Sequence, residues 1–192
     1  LGSLLSTYLT SAILWVYSVI GPLGIAIIAC LHPLLVMTGM HTSLIPFVTE
    51  QFATVGYEPF LGVPQGISNL NQGIACLAVA LKAKSVELKS IATTCGVTAL
   101  ISGTTEPAMF GVNLKYLYPF VGAMLASGVM GIASRLAGVI ANSVGVGGIP
   151  AFLSMRGDKM LLYILCIAAD IVLAFLFTVL LSRTKMGEYG NH

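Results

Sequence analysis

The sequence predicts an all-α, polytopic membrane protein with transmembrane helices and two re-entrant hairpins. Apolar residues make up 57% of the chain and charged residues only 8%, whereas a soluble domain carries about a quarter charged residues. Long apolar runs alternate with shorter runs that Gly, Pro and polar residues interrupt. Short, broken apolar segments in such a chain indicate hairpins that enter the membrane without crossing it.

The first two apolar runs differ in continuity. Residues 4–20 carry no charge and predict a transmembrane helix, because about 20 apolar residues cross a bilayer. Residues 23–35 contain His32 followed by Pro33. Proline removes a backbone donor and disfavours helix at the preceding residue, so we expect a break or kink there. We expect His32 to bond to a carbonyl that this break frees.

The next segment predicts the first re-entrant hairpin. Residues 41–52 are mostly apolar, include Pro46 and Glu50, and are too short to span the membrane alone. Residues 53–73, which follow, are rich in Gly, Pro, Asn and Gln. That composition fits an aqueous loop and, equally well, a set of amide groups beside the hairpin.

A second hairpin is predicted around Glu106. Residues 82–90 hold three lysines on a short connection, which indicates a cytoplasmic loop. Residues 91–101 cover only about two-thirds of a span and end in the turn Gly-Thr-Thr-Glu-Pro at residues 103–107. The chain then returns through residue 115, so a short arm, a polar turn and a return arm form the hairpin.

Two more spans are predicted at residues 120–139 and 160–181. The first contains small residues that allow close packing, and it carries Arg135. The second carries Asp170, for which Arg135 is an available partner inside the bundle. Basic residues 182–185 indicate another cytoplasmic end.

Glycine-rich residues 142–150 lack the Lys-Ser/Thr of a phosphate-binding loop and predict loop or re-entrant backbone.

Polar residues within the apolar segments form a candidate site. The histidines lack metal spacing and no serine lies in a nucleophile-elbow motif, so neither a metal centre nor a triad is expected. Carboxylate, amide, hydroxyl and imidazole groups suit a neutral polyhydroxyl ligand, because each can exchange hydrogen bonds with a sugar hydroxyl. Glu106 could equally cap the backbone of its own turn. The candidate residues are His41, Asn69, Asn71, Gln72, Thr104, Thr105, Glu106 and Asn113.

Residues 103–115, GTTEPAMFGVNLK, resemble the GITEP-A-x-(Y/F)-G-(V/I)-N-L signature of the membrane-embedded IIC component of the bacterial phosphotransferase system, glucose superfamily. Three other pieces agree in the family order: LHP at 31–33 with MTGMH at 37–41, SNLNQG at 68–73, and KAK at 82–84 with LKS at 88–90. Thr104 and Asn71 depart from the usual Ile or Val and from the frequent Ala. Tyr116 and the VGVGGIP stretch at 144–150 look most like the trehalose branch, with the sucrose and β-glucoside branches as close rivals.

The resemblance implies the domain and its partners. Residues 1–186 would be the carboxyl, sugar-binding half of a longer IIC, an elevator-type transport domain, and residues 187–192 a polar tail. The protein would lie in the bacterial inner membrane as a multi-pass permease for a disaccharide or glucoside such as trehalose. Its partners would be the sugar, IIB, IIA, membrane lipid and a second copy joined through the amino half. No cofactor and no nucleic acid are expected.

The resemblance also implies residue roles. Glu106 would hydrogen-bond the sugar, and His41 would lie near the hydroxyl that is phosphorylated, as a general base or an orienting group. Asn71, Gln72, Thr104 and Thr105 would line the sugar site. A phosphocysteine on IIB would donate the phosphoryl group, so the chain would be a sugar phosphotransferase component without phosphocarrier residues of its own. The alternative is an ion-coupled sugar transporter that uses Glu106 and Asp170.

Overall fold

The computed structural model describes residues 19–54, 56–58, 60–143 and 147–184, together with residues 8, 11, 12 and 15. Over these residues the fold is helical, and β-structure is limited to two isolated bridges that join Ala141 to Glu58 and to Met155. The all-α prediction is therefore confirmed. Most of the predicted first span, residues 144–146 and the polar tail lie outside the described residues.

Six helices of ten residues or more organise the described part of the chain. The first two belong to the segment around His41, the next two surround the basic loop, and the last two are long and apolar. They are α1 Pro22–Met37, α2 Ile45–Thr54, α3 Gly62–Lys82, α4 Val86–Ser102, α5 Tyr118–Leu136 and α6 Met160–Leu181.

Helix α1 continues through Pro33, so the chain does not break there, while a kink at this position stays a prediction. The physical reason is close packing on α5: a Cβ on Gly131 would lie 3.0 Å from Ala29 Cβ, and so the two backbones meet across small residues. Such packing outweighs the local cost of a proline. His32 is buried, and neither ring nitrogen has a hydrogen-bond partner among the described residues. Its predicted bond to a freed carbonyl is therefore wrong.

The composition of residues 53–73 suited an aqueous loop or a set of amide groups beside a hairpin. In the structure most of this segment is helical, because α3 begins at Gly62. Pro64 is tolerated because it lies in the first turn, where backbone N–H groups have no intrahelical partner. The amides of Asn71 and Gln72 are buried and bond to other helical segments. The polar composition of the segment thus serves contacts inside the bundle.

The Glu106 region is a helix, a turn and a return arm, and its re-entrant position in a membrane stays a prediction. Ser85 caps α4 by accepting the Leu88 N–H at 3.1 Å, and Gly103 ends the helix in the left-handed conformation with φ 73°. The return arm, residues 106–116, consists of Glu106–Ala108, the π-helix Met109–Asn113 and Leu114–Tyr116. It packs on α3, where Cys76 Sγ lies 3.7 Å from the Ala108 carbonyl oxygen.

Helix α3 lies at the centre of the bundle. Its Gly73 packs against Gly96 of α4, and its Gly66 against the Tyr163 hydroxyl of α6. Helix α5 completes the bundle, since its Gly122 packs on Thr178 of α6. Small residues at these crossings let the helices approach closely, as in membrane helix bundles.

The two basic segments lie at the same end of the bundle. Lys82 Nζ, at the end of α3, donates a hydrogen bond to Ser182 Oγ, just beyond the end of α6. Their sequences each predict a cytoplasmic position, and their shared location makes the two predictions mutually consistent.

Two described helical segments, Tyr118–Leu136 and Gly157–Leu181, are long and apolar enough to cross a membrane by length and composition. They correspond to the last two predicted spans. The pairing suggested for Asp170 and Arg135 is not formed, because neither Asp170 carboxyl oxygen has a hydrogen-bond partner among the described residues. Asp170 instead lies beside the side chain of Asn71.

Candidate functional site

A cavity of about 250 Å³ opens between residues 41–52, the start of α3 and the chain that follows α5. This volume lies just below the roughly 300–1,000 Å³ that is typical of pockets for small molecules. Its wall combines apolar side chains with hydroxyl, amide and imidazole groups. The polar side chains that line it are His41, Thr49, Gln65, Asn69, Ser143 and Ser154.

His41 reaches the cavity from the turn between α1 and α2. Gly39 reverses the chain there, with φ 72°, and a short 3-10 helix, Met40–Leu44, follows. The Thr42 hydroxyl donates to the Gly39 carbonyl at 2.9 Å and tightens this turn. His41 is partly exposed, and its Nδ1 atom has no hydrogen-bond partner among the described residues. This nitrogen can therefore bond to a ligand in the cavity.

Glu58 supports part of the cavity wall, a role that the sequence did not predict. Its fully buried carboxylate accepts the N–H groups of Phe60 at 2.8 Å, Leu61 at 2.8 and 2.9 Å, and Gly62 at 2.5 Å. Its own N–H donates to the Ala141 carbonyl at 2.9 Å. Gly62 and Ala141 both line the cavity, so Glu58 fixes two parts of its wall.

The electrostatics at Glu58 combine two opposing effects. Burial raises the pKa of this carboxyl group, and the backbone N–H groups of Gly62, Leu61 and Phe60 act in the opposite direction. The sequence offered no usable signal for this role, because a helix start at Gly62 was not among the predicted elements.

The Glu106 turn lies next to the cavity but outside its lining. Glu106 and Thr104 are exposed, whereas Thr105 is buried. Gly103, which starts the turn, packs so closely on Gly147 that an added Cβ would lie 2.4 Å from the Gly147 Cα atom. Because Gly147 lines the cavity, the turn contacts the cavity wall from behind at this residue.

Asn71 and Gln72 are directed into the helix bundle and not into the cavity. Asn71 Nδ2 donates to Ser127 Oγ on α5 at 3.0 Å. Gln72 Oε1 accepts a bond of 2.8 Å from Asn113 Nδ2 on the return arm. The structure thus divides the candidate residues into three groups: His41 and Asn69 at the cavity; Thr104, Thr105 and Glu106 at the neighbouring turn; and Asn71, Gln72 and Asn113 within the bundle.

The chemistry of the cavity favours a neutral ligand. The described residues that line it include no lysine, arginine, aspartate or glutamate. Hydroxyl and amide groups can both donate and accept, which matches a ligand that carries several hydroxyl groups. Within the described ranges, no group of three or more His, Cys, Asp or Glu side chains could hold a metal ion.

Comparison with known families gives a match over most of the chain. A family model described as "Phosphotransferase system, EIIC" matches residues 1–127 of the 192. No solved structure gives a significant match.

Similar proteins are sugar-specific components of that system. The sucrose-specific EIIBC component of Pasteurella multocida (strain Pm70) is 38% identical over 184 residues, which cover 95% of this chain and 38% of the relative. The trehalose-specific EIIBC component of Escherichia coli (strain K12) is 32% identical over 164 residues, covering 85% and 34%. The beta-glucoside-specific EIIBCA component of Bacillus subtilis (strain 168) is 32% identical over 160 residues, covering 80% and 26%.

These relatives indicate what share of a full-length relative this chain spans and which sugar branches of the family it resembles. This chain spans between 26% and 38% of their lengths. Sucrose, trehalose and β-glucoside proteins match at comparable identity, so the comparisons do not single out the trehalose branch. All three are phosphotransferase components, and the ion-coupled alternative with Glu106 and Asp170 gains no support from them.

Proposed function

The chain belongs to the EIIC family of the phosphotransferase system, and from this premise we propose that it binds a neutral disaccharide or glucoside and carries it across the bacterial inner membrane. The names of its relatives support a sugar of the sucrose, trehalose or β-glucoside group. In this proposal the phosphocysteine of a IIB partner phosphorylates the sugar. The chain itself acts as the permease.

The observation that carries the proposal is the neutral polar cavity around His41. His41 Nδ1 has no partner among the described residues, and Gln65 and Asn69 add amide groups from one face of α3. A sugar hydroxyl that fails to match such groups leaves them unpaired, which gives selectivity. His41 acts on the hydroxyl to be phosphorylated, as a general base or by orienting it.

We assign Glu106 to the same sugar, reached from the turn of the second hairpin. The contact of Gly103 with the cavity residue Gly147 supports this assignment, because it keeps the turn beside the cavity. Glu106 is exposed, so its carboxylate is accessible to a ligand. Two sugar hydroxyls can donate to one carboxylate, and Thr104 is exposed beside it.

Asn71, Gln72 and Thr105 contribute to the site indirectly in this proposal. All three are buried, and both amides bond to neighbouring helical segments. Holding the return arm against α3 fixes the direction in which the hairpin presents Glu106. Rigid support of this kind is needed for a binding site to keep its geometry.

The proposed membrane arrangement follows the family. Both hairpins are re-entrant, and the domain moves in the manner of an elevator relative to an amino half that forms a homodimer. The helical hairpin at Glu106 and the shared end of the two basic segments support this orientation. IIB and IIA partners are supported by the names of the relatives, which are EIIBC and EIIBCA components.

Sugar uptake coupled to phosphorylation tests the proposal. Membrane vesicles that contain the chain within its complete permease, together with IIB and a phosphoenolpyruvate-driven phosphoryl supply, would be offered labelled sucrose, trehalose and an aryl β-glucoside. We expect one of these sugars to accumulate as its phosphate, and a proton ionophore to have no effect. Accumulation of unmodified sugar that the ionophore abolishes would contradict the proposal.

A further inference from the structure

Tyr163 carries a buried hydroxyl group without a hydrogen bond. The residue lies in the first turn of α6, and its exposed fraction is 0%. Its hydroxyl oxygen has no hydrogen-bond partner among the described residues. Buried tyrosine hydroxyls usually have one, because an unpaired polar group is costly in an apolar environment. A ligand that reaches this hydroxyl would therefore gain a bond for which no protein bond has to break.

The ring of Tyr163 belongs to an apolar core that extends to the cavity. On α3, this core includes Val63 and Ile67. It also includes Ala151 and Met155, which line the cavity. Tyr163 thus lies in the part of the core that supports the cavity wall.

Gly66 shows where the hydroxyl lies relative to the cavity. A Cβ atom on Gly66 would lie 3.1 Å from the Tyr163 hydroxyl oxygen. Gly66 lines the cavity, as do Gly62, Gln65 and Asn69. Residues at this spacing share one face of a helix. A side chain at position 66 would thus leave α3 on its cavity face, and the Tyr163 hydroxyl lies in its path.

We propose that the Tyr163 hydroxyl is a further binding group for the sugar, reached from the cavity past Gly66. This inference rests on the proposed function, because it takes the ligand of the cavity to be a sugar. A phenol hydroxyl both donates and accepts hydrogen bonds, as a sugar hydroxyl does, so the two groups are matched. Tyr163 thereby adds a group from α6 to those that α3 and the turn at His41 supply.

The hydroxyl itself argues against a purely structural role for Tyr163. Phenylalanine would fill the same apolar space without burying an unpaired polar group. Tyrosine suits the boundary between a core and a polar cavity, since its ring is apolar and its end is polar. A sugar without the matching hydroxyl would leave the phenol unpaired, so Tyr163 also contributes to selectivity.

Tyr163→Phe tests the inference directly, because it removes the hydroxyl and keeps the ring. Isothermal titration of the complete, detergent-solubilised permease would use sucrose, trehalose and an aryl β-glucoside, and the sugar that the wild type binds serves as the probe. We expect Tyr163→Phe to bind this sugar about 5- to 100-fold more weakly. Its melting temperature should stay within about 3 °C of the wild type, because no protein hydrogen bond is lost.

Tyr118→Phe is the matched control. Tyr118 is also buried, but its core cluster includes no residue that lines the cavity. We expect this variant to bind the sugar as the wild type does.

Gly66→Ala tests the position of the hydroxyl. The added methyl group would lie against the Tyr163 hydroxyl and cover it on the cavity face. Alanine is a better helix former than glycine, so the variant should still fold. We expect Gly66→Ala to weaken sugar binding, and to cause little further loss when Tyr163→Phe is already present. Losses that simply add would overturn the contact past Gly66.

Two results with Tyr163→Phe would also overturn the inference. Wild-type affinity would show that the hydroxyl does not touch the sugar, and a melting temperature lower by about 5 °C or more would show that it bonds within the protein. Either result leaves the proposed function intact as long as the wild type binds the sugar. If the wild type binds none of the three sugars, the proposed function fails, and this inference fails with it.

Discussion

One amide nitrogen of Asn113 holds the return arm to α3 by two hydrogen bonds to Gln72. Asn113 Nδ2 donates to the Gln72 backbone carbonyl at 2.9 Å and to Gln72 Oε1 at 2.8 Å. The π-helix Met109–Asn113 ends at this contact, and π-helical turns frequently occur at functional sites. The pair connects the segment that begins at Glu106 to the centre of the bundle.

Removing this amide should loosen the hairpin. Asn113→Ala leaves the Gln72 carbonyl and side chain without their buried donor, and we expect a loss of about 1–3 kcal/mol in the free energy of unfolding. Thermal unfolding of the detergent-solubilised permease measures it. Asn142→Ala is the matched control, because Asn142 is exposed. Equal stability of the two variants would show that the Asn113 bonds contribute nothing.

The contact between the hairpin turn and the cavity wall can be tested with two glycines. Gly103 and Gly138 both have positive φ, 73° and 69°, so alanine costs each about 1–2 kcal/mol in backbone strain. A Cβ at Gly138 meets nothing within 4 Å, whereas one at Gly103 would lie 2.4 Å from Gly147 Cα. We expect Gly103→Ala to be less stable than Gly138→Ala by about 1–3 kcal/mol.

Sugar binding should separate the same two variants. Gly103→Ala displaces the cavity wall at Gly147 and should weaken binding, while Gly138→Ala should bind as the wild type does. Isothermal titration with the transported sugar measures both affinities. If Gly103→Ala binds normally, the turn and the cavity are not mechanically connected.

Local turn chemistry made part of this fold predictable from the sequence. The glycine and proline on either side of Glu106 predict a reversal of the chain, and Gly103 does end α4 in the left-handed conformation. Such a signal depends only on the backbone preferences of neighbouring residues. The long apolar run of α6 was predictable for the same reason, since composition alone defines it.

Contacts between distant segments could not be predicted in this way. Residues 62–73 have the composition of a loop, yet they form a helix because Asn71 and Gln72 find partners 56 and 41 positions away. The same limit applies to the site: the residue types suited to sugar binding were identified, but the sequence held no information on which amides face the cavity. Glu58 was missed because the groups it caps become a helix start only in the folded chain.

Glu58 should be a structural determinant of the cavity. In Glu58→Gln one acceptor oxygen becomes an NH₂ group that faces backbone N–H donors, so we expect a loss of about 1–3 kcal/mol in stability. Glu87→Gln is the control, because Glu87 is exposed in the first turn of α4. Unfolding curves of the two variants give the comparison, and overlapping curves would mean that the capping bonds are dispensable.

Glu106 should be needed for binding and not for folding. Glu106 is exposed, so Glu106→Gln preserves size and packing but replaces an acceptor-only group with an amide. We expect sugar binding to be abolished and the melting temperature to stay unchanged. Binding and melting would be measured on the same preparation, with Glu87→Gln as the charge-matched control. Wild-type affinity in Glu106→Gln would remove this residue from the sugar site.

His41 should affect phosphorylation at least as strongly as binding. His41→Ala takes away the imidazole that lines the cavity, and with it the group proposed to orient or deprotonate the reacting hydroxyl. Comparing the sugar Kd with the rate of sugar phosphate formation by phosphorylated IIB separates the two effects, since a general base typically contributes about 10²- to 10⁴-fold to the rate. Thr42→Ala, one residue further along the same turn and exposed, controls for disturbance of the turn itself. Unchanged turnover in His41→Ala would exclude the residue from the reaction, whereas a loss in Kd alone would leave it a binding residue that does not take part in phosphoryl transfer.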